Sequence, residues 1–214
     1  MTPRPSYRIP NTIIAARVAL AFVAAGLLGA ASPLAGALGV ALVVVVIAMD
    51  ALDGIVARRM GLASDLGGVL DITADRIVEH VFWITFAALG QVALWIPLVV
   101  MTRSFLVDAV RALALTSGRT AFGERSMARS QLTRFLTGSR TMRNAYGAAK
   151  VAAFVLLGAL VTVARLEASG GTGVTAAGIA ALEAAAGASV LLAVGLCLVR
   201  GIPVLADARA YLTA

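Results

Sequence analysis

Cysteine and histidine are almost missing from these 214 residues: Cys197 and His80 stand alone. A lone cysteine in an apolar run excludes a disulfide framework and a cysteine metal site, so Cys197 reads as packing. A lone histidine excludes histidine-based zinc motifs and argues against a serine–histidine triad. His80, four residues past Asp75 in a predicted helix, reads as structural. Charge is scarce too, at 14% of residues against 60% hydrophobic, with a mean hydropathy of +0.94. A soluble domain of this length needs more charge to cover its surface, so lipid is the expected solvent. No internal repeat and no low-complexity linker break the chain, and 1–214 is expected to form one domain.

What is present is a series of apolar runs. Stretches of roughly 20 residues, long enough to cross a bilayer, fall at 12–31, 34–57, 68–90, 92–117, 145–165 and 172–199. The expected fold is therefore an all-α integral membrane protein, a bundle of six transmembrane helices, with "MTPRPSYRIP" as a short interfacial segment. Arg4 and Arg8 before an apolar run ending in "GAAS" imitate a secretory signal. Arg17 interrupts that run, and the first helix is expected to be retained.

Charge placement supports six spans. With a cytoplasmic N-terminus, Arg4, Arg8, Arg58, Arg59, the arginines of 118–143, Arg200 and Arg209 all fall on one side, while the opposite loops near 31–34 and 90–93 carry no charge and the third, near 166–172, has only Arg165 and Glu167 close by. This positive-inside pattern places the N-terminus in the cytoplasm of a multi-pass cell-membrane protein. Segment 118–143 sets six arginines against Glu124. It suits anionic lipid headgroups, or an anionic substrate gripped by guanidinium forks. Small residues in "GALG" at 36–39, "AYGAAK" at 145–150 and "AALEAAAGAS" at 180–189 allow close helix approach, and a homodimer is expected without a placed interface. Glu183 has no assigned role.

The costliest residues are Asp50, Asp53, Asp71 and Asp75, gathered around one turn between apolar runs. Spacings of three and four share a helical face, and the turn brings the two faces together on the cytoplasmic side. Four carboxylates in a low-dielectric site must either take up protons or bind cations. An all-oxygen donor set suits magnesium, which completes its shell with water and substrate phosphate. Two other uses stay open on the residues alone: membrane-embedded ion pairs with Arg17, Arg58 or Arg76, and an ion or proton transport pathway.

From Asp50 the chain reads D-x-x-D-G-x-x-A-R, eight residues, then G-x-x-x-D-x-x-x-D ending at Asp75. This spacing resembles the signature of the CDP-alcohol phosphotransferase (phosphatidyltransferase) family. The resemblance implies an enzyme that moves a phosphatidyl group from CDP-diacylglycerol to an alcohol and releases CMP. It implies divalent metal, Mg2+ or Mn2+, on Asp50, Asp53, Asp71 and Asp75, with Asp75 also the general base. It places Gly54, Ala57, Arg58 and Gly67, together with Asp53 and Ser64, around the CDP-lipid.

"IPNTIIAARVAL" at 9–20 is similar to the opening of bacterial phosphatidylglycerophosphate synthases, which adds Asn11 and Arg17 to that pocket. "TRSFLVDAVR" at 102–111 resembles their fourth helix, while "TADR" at 73–76 is similar to inositol-type members. Both acceptors are phosphorylated, and Arg103, Arg111, Arg140, Arg143 and Lys150 are the expected contacts to the acceptor phosphate. Glycerol 3-phosphate is the leading acceptor, inositol phosphate the second. A nucleic-acid partner is not expected.

Overall fold

A computed structural model describes the backbone of residues 8–59, 65–116, 131–171 and 173–212, and the side chains of 12–50, 67–114, 133–171 and 173–208. Within them the chain is all-α, in seven helices: α1 (Arg8–Gly29), α2 (Pro33–Arg59), α3 (Asp65–Ala88), α4 (Trp95–Thr116), α5 (Gln131–Gly138), α6 (Arg140–Ala168) and α7 (Ala176–Leu212). Four of them, α1, α2, α6 and α7, are long and apolar enough to cross a membrane by length and composition. Large apolar side chains face outward throughout, among them Phe22, Leu34, Phe105 and Leu191. In water such surfaces would be covered; in lipid they need no cover. The protein is an all-α membrane protein.

Two expectations of sequence reading are corrected. Segment 118–143, expected as a connection, contains α5 and the first turn of α6. The last helix, expected at 172–199, starts at Ala176 and runs on to Leu212, with Pro203 inside it. Proline cannot donate the bond to the carbonyl four residues back, but membrane helices tolerate that loss. Arg200 and Pro203 imitate a helix end without making one. Of the expected interfacial segment 1–10, residues 1–7 lie outside the described residues, and 8–10 form the start of α1.

The helices group into two compact units: 1–94 with 154–183, and 95–153 with 184–214. In the first, α1 packs against both α2 and α3. Its core centres on Phe154 of α6, whose ring meets Phe82, Trp83 and Phe86 of α3 at centroid distances of 5.4, 4.9 and 6.0 Å. The "GALG" stretch closes tightly: a side chain at Gly36 would fall 2.8 Å from Thr162 Oγ1, and one at Gly39 2.9 Å from Leu28 Cγ. The equivalent positions at Gly147 and Gly187 are open, so these two glycines are not contact points among the described residues. Arg165 Nη2 donates to the Leu28 carbonyl at the C-terminal end of α1, where a cation suits the helix dipole. The second unit buries Val107, Ala114 and Val204 together, flanked by Val110 and Leu205.

Candidate active site

Three of the four motif aspartates are described, and they converge. Asp50 closes the apolar part of α2, while Asp71 and Asp75 lie one turn apart on α3, so the four-residue spacing puts both on one face. One oxygen from each of the three carboxylates lies within 4.8 Å of the others. All three side chains keep nearly half their surface open, at 44–48%. Gly68, one turn before Asp71 and Ile72, leaves open space at its Cβ position.

Arg17 of α1 completes the group. Its side chain is 1% exposed. Nη1 donates to Asp50, and Nη2 donates to Asp75 Oδ1 at 2.9 Å and to Asp71 Oδ1 at 3.4 Å. The expected alternative of embedded ion pairs is thus met by Arg17, whereas Arg76 lies 3.6 Å from Glu79 on its own helix. Three carboxylates face one guanidinium among the described side chains, an excess of acid that a bound cation would offset. The donors are all carboxylate oxygen, which hard cations such as magnesium prefer. The residues present therefore fit a metal ion. Asn11, Asp53, Gly54, Ala57, Arg58 and Ser64 lie outside the described side chains. Gly67 lies in the first turn of α3.

The second unit holds a separate group of cations. Arg103, Arg111 and Arg143 all lie near enough to Arg200 to repel its charge. The Arg200 guanidinium stands 5.5 Å from the centroid of the buried Tyr146 ring, and Lys150 Nζ 4.7 Å from the same ring. Ring faces attract cations. Arg103 is itself buried, and its stem crosses α7 at Gly201, where a side chain would meet Arg103 Cγ at 2.6 Å. Arg111 pairs with Asp108 at 3.5 Å. An anion placed among these cations would relieve their mutual repulsion.

Four of the five residues expected at the acceptor phosphate thus belong to this group. Arg140 is exposed in the first turn of α6 and takes no part in the contacts just described. Arg200 and Tyr146 are the additions that sequence reading missed. The i, i+4 spacing of Tyr146 and Lys150 was the available signal for the ring; Arg200 was hidden by ending its helix one residue early.

Comparison with known proteins shows what the chain is similar to. A Mycobacterium bovis protein provisionally named cardiolipin synthase is 31% identical over 136 residues, which cover 63% of each chain. A Mycobacterium tuberculosis protein provisionally named phosphatidylglycerophosphate synthase is 29% identical over 69 residues, 32% of this chain and 33% of that one. The matches thus span less than two thirds of these relatives. Residues 7–199, which include every described member of both groups except Arg200, match the family described as CDP-alcohol phosphatidyltransferase, and the chain belongs to that family of enzymes.

Proposed function

We propose that the protein transfers the phosphatidyl group of CDP-diacylglycerol to glycerol 3-phosphate, giving phosphatidylglycerol phosphate and CMP. The convergence of Asp50, Asp71 and Asp75 within 4.8 Å at motif positions carries this reading. With Asp53 they would hold the divalent metal, which would neutralise the diphosphate and the charge developing on the departing CMP. Asp75 takes the proton of the acceptor hydroxyl as its oxygen attacks the lipid-bearing phosphorus. The bond from that phosphorus to the bridging diphosphate oxygen breaks, and the electron pair leaves with CMP. Transfer of this kind asks the protein chiefly for position and charge.

Asn11, Asp53, Gly54, Ala57, Arg58, Ser64 and Gly67 are assigned to the CDP-lipid, while Arg17, also expected there, is assigned to the carboxylates it binds. Arg103, Arg111, Arg143, Lys150 and the added Arg200 are assigned to the acceptor phosphate. Six spans, a cytoplasmic active site and a homodimer complete the proposal. The transport reading of the same acids predicts no nucleotide chemistry, and family membership weighs against it.

A second reading is favoured by the longer of the two reported mycobacterial matches, cardiolipin synthesis, for which phosphatidylglycerol is the acceptor to test. The cation group supports a phosphorylated acceptor in either case. The deciding experiment is CMP release by purified protein with CDP-diacylglycerol and magnesium, offered glycerol 3-phosphate, phosphatidylglycerol, inositol phosphate, inositol and serine separately. Release with glycerol 3-phosphate alone is expected. Release with phosphatidylglycerol alone establishes the second reading, and release with inositol phosphate alone establishes the inositol-type reaction.

A further inference from the structure

We propose that Arg17 is a positioning residue that holds the three carboxylates in the arrangement a divalent cation needs; this rests on the metal reading above. The reason lies in where each group faces. Arg17 is 1% exposed, while Asp50, Asp71 and Asp75 are 44–48% exposed. The guanidinium therefore meets the carboxylates from the buried side and leaves their open surfaces to a ligand. One arm of its fork binds Asp50 of α2, and the other binds Asp71 and Asp75 of α3. A single side chain of α1 thus sets the spacing between acids on two other helices.

Charge alone does not explain this. Three carboxylates this close repel one another strongly in a site of low dielectric, and any buried cation would offset that. Only a planar fork reaches two helices with fixed angles; a lysine ammonium is a point charge on a flexible stem. The effect on metal binding also has a distinctive sign. Deleting a cation beside a metal site would tighten metal binding by Coulomb's law alone. Deleting the group that arranges the ligands weakens it, typically by about 10- to 100-fold for a supporting partner of a metal ligand.

The test is Mn2+ binding to the purified protein in detergent, read from the free-ion electron paramagnetic resonance signal, for wild type, Arg17→Lys and Arg17→Gln. Helical circular dichroism reports whether each variant is folded. Both variants are expected to bind Mn2+ at least about tenfold more weakly. Arg17→Lys binding like wild type would overturn the role of the fork, and Arg17→Gln binding as tightly or more tightly would make Arg17 a competitor of the metal. Wild type binding no Mn2+ would instead sink the metal reading itself.

Should the variants not fold, wild type still decides. Phenylglyoxal modification, mapped by mass spectrometry, is expected to spare Arg17 with and without Mg2+ while labelling the exposed Arg140. Labelling of Arg17 once Mg2+ is added would show that the metal expels it, and would overturn the proposal.

Discussion

The proposed mechanism asks Asp75 for two things that a single carboxylate can do together, to help hold the metal and to accept a proton. It sits 2.9 Å from Arg17 and keeps 48% of its surface open, so one face is anchored while another is left open for an acceptor. Replacing it by asparagine preserves size and the ability to accept from Arg17 but removes the basic oxygen. Asp75→Asn is expected to slow CMP release by roughly 10²- to 10⁴-fold, the range for loss of a general base. CDP-diacylglycerol binding, measured in the same sample, is expected to remain, because Asp50 and Asp71 still hold their places; full retained activity would remove the base assignment. These acids were legible in sequence because helical spacing is a geometric rule: residues 71 and 75 share a face wherever the helix goes. Arg17 was legible only as one partner among several. Its pairing depends on how α1 crosses α2 and α3, and that is tertiary information.

Helix contacts divide the small residues into those that matter and those that do not. A side chain at Gly158 of α6 would stand 2.7 Å from Val40 Cγ2 of α2, and valine, branched at Cβ, has little freedom to yield. At Gly187 of α7 nothing lies within 4 Å. Gly158→Leu is therefore expected to destabilise by about 1–3 kcal/mol, the cost of overpacking. Gly187→Leu is expected to leave the melting temperature in detergent nearly unchanged. Equal melting temperatures for the two would mean that α2 and α6 do not approach as described. Apolar length identified the long helices well, since hydropathy decides partition into lipid regardless of neighbours. It failed at α5, eight residues with Arg134 and Phe135 exposed side by side, because so short a helix has no run to detect. It failed again at the end of α7, where helix continues past a proline that sequence rules treat as a stop.

The number of spans is a property of the whole chain, and α3 and α4 decide it. Hydropathy and charge alone select α1, α2, α6 and α7 among the described residues. Yet α3 and α4, of 24 and 22 residues, are about 36 and 33 Å long at 1.5 Å per residue, enough for a hydrocarbon core near 30 Å. The distribution of their side chains argues that they cross. Glu79, His80 and Arg103 are buried, while Val69, Ile72, Ile84, Leu98, Phe105 and Leu113 face outward. Ionisable groups turned inward behind an apolar exterior are what a spanning helix needs around a polar site. If both cross, the uncharged connection 89–94 lies opposite the arginine-rich 118–143 segment; if neither does, it lies on the same side. Ala93→Cys in a Cys197→Ala background, treated in intact cells with a membrane-impermeant maleimide, is expected to label from outside, whereas Ser126→Cys is expected to label only after the cells are opened. Protection of Ala93→Cys until opening would reduce the protein to four spans and leave the buried Glu79 and Arg103 to be explained by something other than a membrane crossing.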